Sequence, residues 1–394
     1  MKSAFFKMAA LSLLAPCAMG VSLFDSAPLV GLTESQQLTF SANVGMGWDD
    51  NINSSSTDRE SSMFSNLGVS ASYADYESVD KIRFSAHTGA TLYNKHANSS
   101  DQRLFGDISV NAGLTHNCGD GATYSTSLTL NYKPEPEYAS GISAARSQGD
   151  VLNWSMSHSY SRPIDSRFSW TASASYSGNL YTEGEYKDDN RQYLSTSLSL
   201  SYKDTPLTSY NVNLSYSHDF RRSGFDSDSI YTTVGVNHSI DTLSSCSLTM
   251  GTQLKFVSGA NFLSPHITAG YRRSLADGLS ANTYLSWTNE NVDTYQSGFN
   301  FRSDQTLRLG ADLSYAFHPE LSFNFGGSVY LAQYSRGTGG LGDENRLTWM
   351  CHAGFSYKVA RNWSLSMDYT FTQANKDAGD YYRNKVSAGV SYTF

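Results

Sequence analysis

Beyond its first twenty residues the chain has no apolar run approaching the roughly 18 residues that a membrane-spanning helix requires. It is also short of charge. Asp, Glu, Lys and Arg make up 16% of its 394 residues, against about 25% in soluble globular proteins. Ser, Thr, Asn and Gly supply the polarity instead, and the mean hydropathy is -0.40. Cysteine is scarce: after Cys17 only Cys118, Cys246 and Cys351 follow. That odd set has no paired spacing and suggests neither a disulfide framework nor a metal site. A net charge of -8 offers no basic footprint for nucleic acid. There is no Gly-x-Ser-x-Gly elbow, no His-Glu-x-x-His and no phosphate loop, so no enzyme and no cofactor is expected. The nine His are scattered.

What the chain does have is alternation. Ala388, Val390, Tyr392 and Phe394 take every second position at the C-terminus, separated by Gly389, Ser391 and Thr393. A strand of this kind has oil on one side and water on the other. From Leu38 onward, segments of about ten alternating residues recur between turns, the pattern of transmembrane barrel strands. Leu38, Phe40, Ala42, Val44, Met46 and Trp48 form the first apolar row. Strands are predicted to start near 38, 63, 81, 103, 122, 151, 167, 191, 210, 229, 247, 263, 279, 304, 321, 347, 363 and 384. The expectation is therefore an all-β fold, a transmembrane antiparallel up-and-down barrel of about 18 strands, or about 16 if the weak strand near 263 drops out.

The N-terminus reads as a secretory signal over residues 1–20. Lys2 and Lys7 are its positive start, Met8–Ala15 its apolar stretch and Ala18-Met19-Gly20 its small-x-small cleavage site. Residues 21–37 lack alternation and are expected to form a short periplasmic lead, with the barrel over 38–394. Short links such as Pro163-Ile164-Asp165-Ser166 and Ala360-Arg361-Asn362 alternate with long polar ones such as 133–150 and 178–190. Outer-membrane barrels place short turns in the periplasm and long loops outside. In that orientation Trp48, Trp154, Trp287 and Trp349 point outward near extracellular ends, and Trp170 and Trp363 near periplasmic ends. Two aromatic girdles flanking an aliphatic band suit a membrane interface. His158, His218 and His238 fall on the same lipid-facing side, close to strand ends. No lipid-free flank interrupts the aromatic rows, so no oligomer is read from them.

The inward positions are mostly small and polar, as in Ser195-Ser197-Ser199-Ser201. A barrel of about 18 strands is wide enough to enclose an aqueous channel, which predicts passive passage of polar solutes. Inward Arg83, Arg103, Arg191 and Arg308, with Asp312, are the candidate wall charges for selectivity. The loop 133–150 contains Pro134-Glu135-Pro136-Glu137, which presents negative charge, and is expected to fold partly into the lumen and narrow it. Tyr93 and Tyr330 are candidate stacking surfaces for sugar rings. Asp49-Asp50-Asn51 crowds oxygens of the kind calcium prefers, but the spacing lacks the EF-hand Gly and Glu and reads as a solvated loop end. Two other classes compete with the pore: a non-conducting barrel that displays loops for adhesion, and a barrel enzyme at the membrane rim.

The stretch Gly45-Met46-Gly47-Trp48-Asp49-Asp50-Asn51-Ile52 resembles the opening motif of the β-barrel porin type 2 family. That resemblance implies an outer-membrane barrel, in some members associated with exopolysaccharide export, and so a saccharide cargo. Val390-x-Tyr392-x-Phe394 resembles the signal by which barrel-assembly machinery recognises its clients. It implies that machinery and outer-membrane lipid as partners.

Overall fold

The structure is a computed structural model. It describes residues 36–52, 56–57, 59–75, 80–94, 107–133, 151–181, 190–222, 225–257, 260–276, 278–290, 303–335, 344–375 and 380–394. Residues 1–35, with the expected leader and most of the expected lead segment, Arg103, and Glu135 and Glu137 with their loop lie outside the described residues.

The chain builds eighteen strands. They are β1 (Gln36–Asp49), β2 (Ser62–Asp75), β3 (Asp80–Tyr93), β4 (Asp107–Gly119), β5 (Ala122–Lys133), β6 (Val151–Pro163), β7 (Phe168–Tyr181), β8 (Arg191–Lys203) and β9 (Thr208–Arg221). They continue with β10 (Ser227–Ser239), β11 (Ser244–Val257), β12 (Ala260–Ala276), β13 (Leu279–Glu290), β14 (Ser303–His318), β15 (Leu321–Ser335), β16 (Glu344–Ala360), β17 (Trp363–Asn375) and β18 (Tyr381–Thr393). Each strand pairs antiparallel with its neighbours in sequence, and β18 pairs with β1. The sheet closes on itself, so no backbone edge is left unpaired in hydrocarbon.

Every predicted strand is present. Their starts shift by a few residues: β1 begins at Gln36, and β16 and β18 begin at Glu344 and Tyr381. The weak strand near 263 is β12, one of the longest. Its weakness in the sequence is Pro265, which has no N–H to donate. The ladder from β12 to β13 starts only at Ile267.

Alternation sets the two faces. Val44 is 66% exposed and Leu263 71%, far more than a side chain in a packed core, because hydrocarbon is what covers this face. Leu198, Leu200, Val212, Leu214, Val234 and Met250 share that outer face. Among the described residues no packed interior comparable to a soluble core forms. The buried hydrophobic side chains are few, among them Phe64, Ile52 and Tyr334.

One end of the barrel is closed by tight links. At Gly119-Asp120-Gly121 the φ angles are 79°, 48° and 73°, left-handed values that Gly adopts freely and Asp tolerates. Ladder irregularities at Asn117/Gly119, Ser274/Ala276, Ala316/His318 and Lys358/Ala360 all fall at this end, where bulges re-aim the strands. Asp165 accepts hydrogen bonds from the Arg167 and Phe168 amides, both 2.7 Å. Those amides hold its carboxyl below the usual range. Asp241 caps the β10–β11 turn in the same manner, accepting from the Leu243 amide at 2.7 Å. Its carboxyl is lowered first by the Ser244 hydroxyl and then by that amide.

The seam between β1 and β18 corrects one sequence expectation. Asp49 and Asn51 are not solvated: each is 0% exposed. Arg383 Nε donates to both Asp49 carboxylate oxygens at 3.0 Å, and its Nη2 donates to Oδ2. Asp50 accepts from the Asn384 amide and from Asn384 Nδ2, both at 2.6 Å. Asn51 Nδ2 donates to the Tyr382 carbonyl at 2.9 Å. Three consecutive residues of the Gly45–Ile52 motif thus grip three consecutive residues of the last strand. The carboxylate oxygens of Asp49 and Asp50 that suggested calcium are committed to this latch.

Candidate functional site, the lumen wall

The lumen wall consists of the inward row of each strand, and antiparallel register decides which inward side chains meet. On β5 to β10 the central inward positions are mostly hydroxyls. Ser127, Ser157, Ser175, Ser195, Ser217 and Ser229 stand in one cross-strand row over six successive strands. That row runs on to Lys255 of β11. A second row, Ser125, Ser159, Ser173, Ser197 and Ser215, runs on to Tyr231 and Gln253. Neighbouring hydroxyls bond across strands, Ser127 to Ser157 at 2.7 Å and Ser173 to Ser197 at 2.6 Å.

The opposite wall, from β14 round to β3, carries charge and large rings. Basic Arg308, Arg346, Arg383, Lys385, Lys81 and Arg83 share it with Asp49, Asp312 and Asp368. Asp312 meets His352 at 3.5 Å. The Arg308 guanidinium lies 5.3 Å from the Tyr330 ring centroid, and that of Arg346 lies 4.5 Å from Tyr334. Such contacts are attractive because the ring face is negative. Tyr284 lies flat across β14 at Gly310, where an added Cβ would sit 2.3 Å from its Cζ. Only glycine leaves room for that ring against the wall. The lumen is therefore two-sided: serine rows on β5 to β10, with charges at Arg191, Lys203, Asp219 and Arg221 toward the strand ends, face a charged aromatic half with an excess of bases, although the whole chain is acidic.

Exposure also changes along the barrel axis. Toward the long-link end the inward residues Asp219, Gln253, Thr306 and Tyr334 are buried, whereas inward residues nearer the short-turn end, such as Ser127 and Lys203, are exposed.

Among the sequence candidates, Arg83, Arg191, Arg308 and Asp312 occupy inward positions on three separate walls, β3, β8 and β14. Arg308 is engaged by Tyr330, and Asp312 by His352. Tyr330 therefore gives one interaction to a cation, and Tyr93 packs 5.5 Å from Phe64. Lys255, His352, Asp368, Arg346 and Tyr284 went unnoticed in the sequence. Their inward parity was the available signal.

On the outer face the aromatic residues stand in contact pairs. At the short-turn end Tyr160 meets Trp170 at 5.4 Å, Phe168 meets Tyr202 at 4.8 Å, and Tyr392 lies between Trp363 at 4.8 Å and Phe394 at 4.7 Å. At the other end Trp154 meets Tyr176 at 6.4 Å. Each such pair contributes about 0.5–1.5 kcal/mol beyond its burial. His158, His218 and His238 face outward and bond to Tyr124, Asp228 and Thr208 at 2.8, 2.7 and 2.9 Å. Cys118, Cys246 and Cys351 are free thiols. Among the described residues no cluster of His, Cys, Asp or Glu has the form of a metal site.

A closed antiparallel barrel with an apolar outside and a polar inside is a transmembrane β-barrel. Residues 209–394 match the outer membrane protein beta-barrel domain family. The BenF-like porin of Pseudomonas fluorescens Pf-5 is 8% identical, with 92% of this chain and 100% of that chain covered and a TM-score of 0.51. Pseudomonas aeruginosa OpdQ is 12% identical, with coverages of 91% and 97% and a TM-score of 0.49. Pseudomonas aeruginosa OccK9 is 11% identical, with coverages of 92% and 99% and a TM-score of 0.48. No curated protein sequence matches the chain.

Proposed function

We propose that the protein is a passive outer-membrane pore for polar solutes, saccharides among them. The observation that carries this reading is the continuous inward array of small hydroxyl side chains inside a barrel of eighteen strands, a width at which such barrels hold water. On this reading the short turns and both chain ends lie in the periplasm, and residues 1–20 are removed on export. The outward face meets outer-membrane lipid, with Trp48, Trp154, Trp170, Trp287, Trp349 and Trp363 at its interfaces. Val390, Tyr392 and Phe394 present the seam strand to the barrel-assembly machinery. Wall charges at Arg83, Arg103, Arg191, Arg308 and Asp312 tune selectivity, and Glu135 and Glu137 add negative charge where the loop 134–146 narrows the passage. The likeness of Gly45–Ile52 to the porin type 2 family supports an exopolysaccharide as cargo.

Single-channel recording in planar bilayers with polymer-exclusion sizing tests the pore. Steady conductance is expected, and deletion of residues 134–146 should raise it. A silent bilayer would favour a display barrel, a reading to which the buried inward side chains at the long-link end lend specific support.

A further inference from the structure

The serine rows have a property that lumen width alone does not require. Any small residue would widen the lumen, yet these positions hold the one small side chain that both donates and accepts a hydrogen bond and rotates to suit its partner. Register lays them out as a net with a mesh of about 4.8 Å across strands and about 6.8 Å along them. The net is uncharged until it reaches Lys255. Exposure falls along the first row, from exposed Ser127 to Ser217 and Ser229, both 2% exposed.

At that buried end lies an unmatched acceptor. Gln253 is 0% exposed. Its Nε2 donates to the Tyr231 hydroxyl at 3.0 Å and to Ser229 Oγ at 3.4 Å, so it touches both rows. Its Oε1 has no partner among the described residues. A buried oxygen without a donor carries a desolvation cost that an arriving hydroxyl group would relieve.

We infer that the two serine rows of β5 to β10 are a binding track for a neutral polyhydroxylated solute, an oligosaccharide chain, and that Gln253 Oε1 is the acceptor at its buried end. The inference rests on the pore reading and names its solute class and its path. Many weak, equivalent hydroxyl contacts let a solute advance by exchanging hydrogen bonds singly, which is the condition for passage rather than capture. The charged wall from β14 to β3 sets ion preference and takes little part in sugar binding.

The test is block of single-channel current in KCl by maltohexaose, in the full mature protein refolded into bilayers. The triple variant Ser175→Ala/Ser195→Ala/Ser197→Ala keeps the lumen width and removes three hydroxyls. Measured relative to the variant's own open conductance, the half-blocking maltohexaose concentration should rise at least about fivefold over the parent's. The matching Ser→Thr triple should retain block, and Gln253→Met should weaken it. Unchanged block in the Ala triple, or no block of the parent, would overturn the track while leaving the pore intact. Absence of conductance in the parent would overturn both.

Discussion

Removing the Asp49 carboxylate tests how the barrel is held shut. Asp49 is 0% exposed, and the Arg383 side chain retains 13% of its exposure, so neither charge has much water to fall back on. Arg383 reaches both carboxylate oxygens. Asp49→Ala leaves a guanidinium near buried Tyr381 without the Asp49 counter-charge. Breaking a pair of this kind by deleting one member costs about 3–5 kcal/mol. Replacing both members should cost less than the two single changes together, because the stranded charge is then absent. The assay is guanidinium unfolding in detergent or lipid vesicles, followed by tryptophan fluorescence and by heat-dependent gel migration, on Asp49→Ala, Arg383→Met and the double variant. A coupling of at least about 2 kcal/mol is expected. An Asp49→Ala barrel that unfolds within about 0.5 kcal/mol of the parent, the range of an ordinary surface change, would refute the latch.

Acid should loosen the short turns first. The carboxyls of Asp165 and Asp241 are held below their ordinary value by turn amides, and by Ser244 in the case of Asp241, so their contribution is full above the unfolded value of about 3.9 and lost as pH falls below it. Amide protection factors around Phe168 and Ser244, corrected for the intrinsic exchange rate, should fall from pH 6 to pH 3, and Asp165→Asn should abolish that fall at its own turn; equal pH response in the variant would count against the cap. Gly310→Val should drive the Tyr284 ring off the wall into the lumen, lowering single-channel conductance while leaving the gel-shift temperature close to the parent's. Arg308→Glu should shift the reversal potential in a KCl gradient toward cations, and an unmoved potential would remove Arg308 from the selectivity-setting wall.

The fold was legible because one physical constraint repeats along the chain. Every strand must show lipid one face and solvent the other, so period-two alternation marks the strand and its orientation together. This held even for the strand carrying Pro265. What the sequence could not show was lateral register. Ser195, Ser197, Ser199 and Ser201 were visible as one inward series, but their alignment with Ser175 and Ser217 depends on where each turn sets its strands. The latch was hidden for the same reason, since Asp49 and Arg383 are 334 positions apart. Asp-Asp-Asn after a strand reads locally as a polar loop end, and only closure of the sheet reveals what it grips. Arg308 and Asp312 were identified by parity alone, whereas their partners Tyr330 and His352 come from strands whose register the sequence left open.

On the pore reading, alternate residues of one strand touch hydrocarbon and water around an open passage. A cysteine scan of β8 in a background lacking Cys118, Cys246 and Cys351 tests it, with a charged, membrane-impermeant thiol reagent added during single-channel recording. Cysteines at Ser195, Ser197 and Ser199 should react and step the current down, while those at Leu194, Leu198 and Leu200 should stay unmodified with the current unchanged. Equal reactivity at odd and even positions, or modification of the inward set without any change in current, would contradict it.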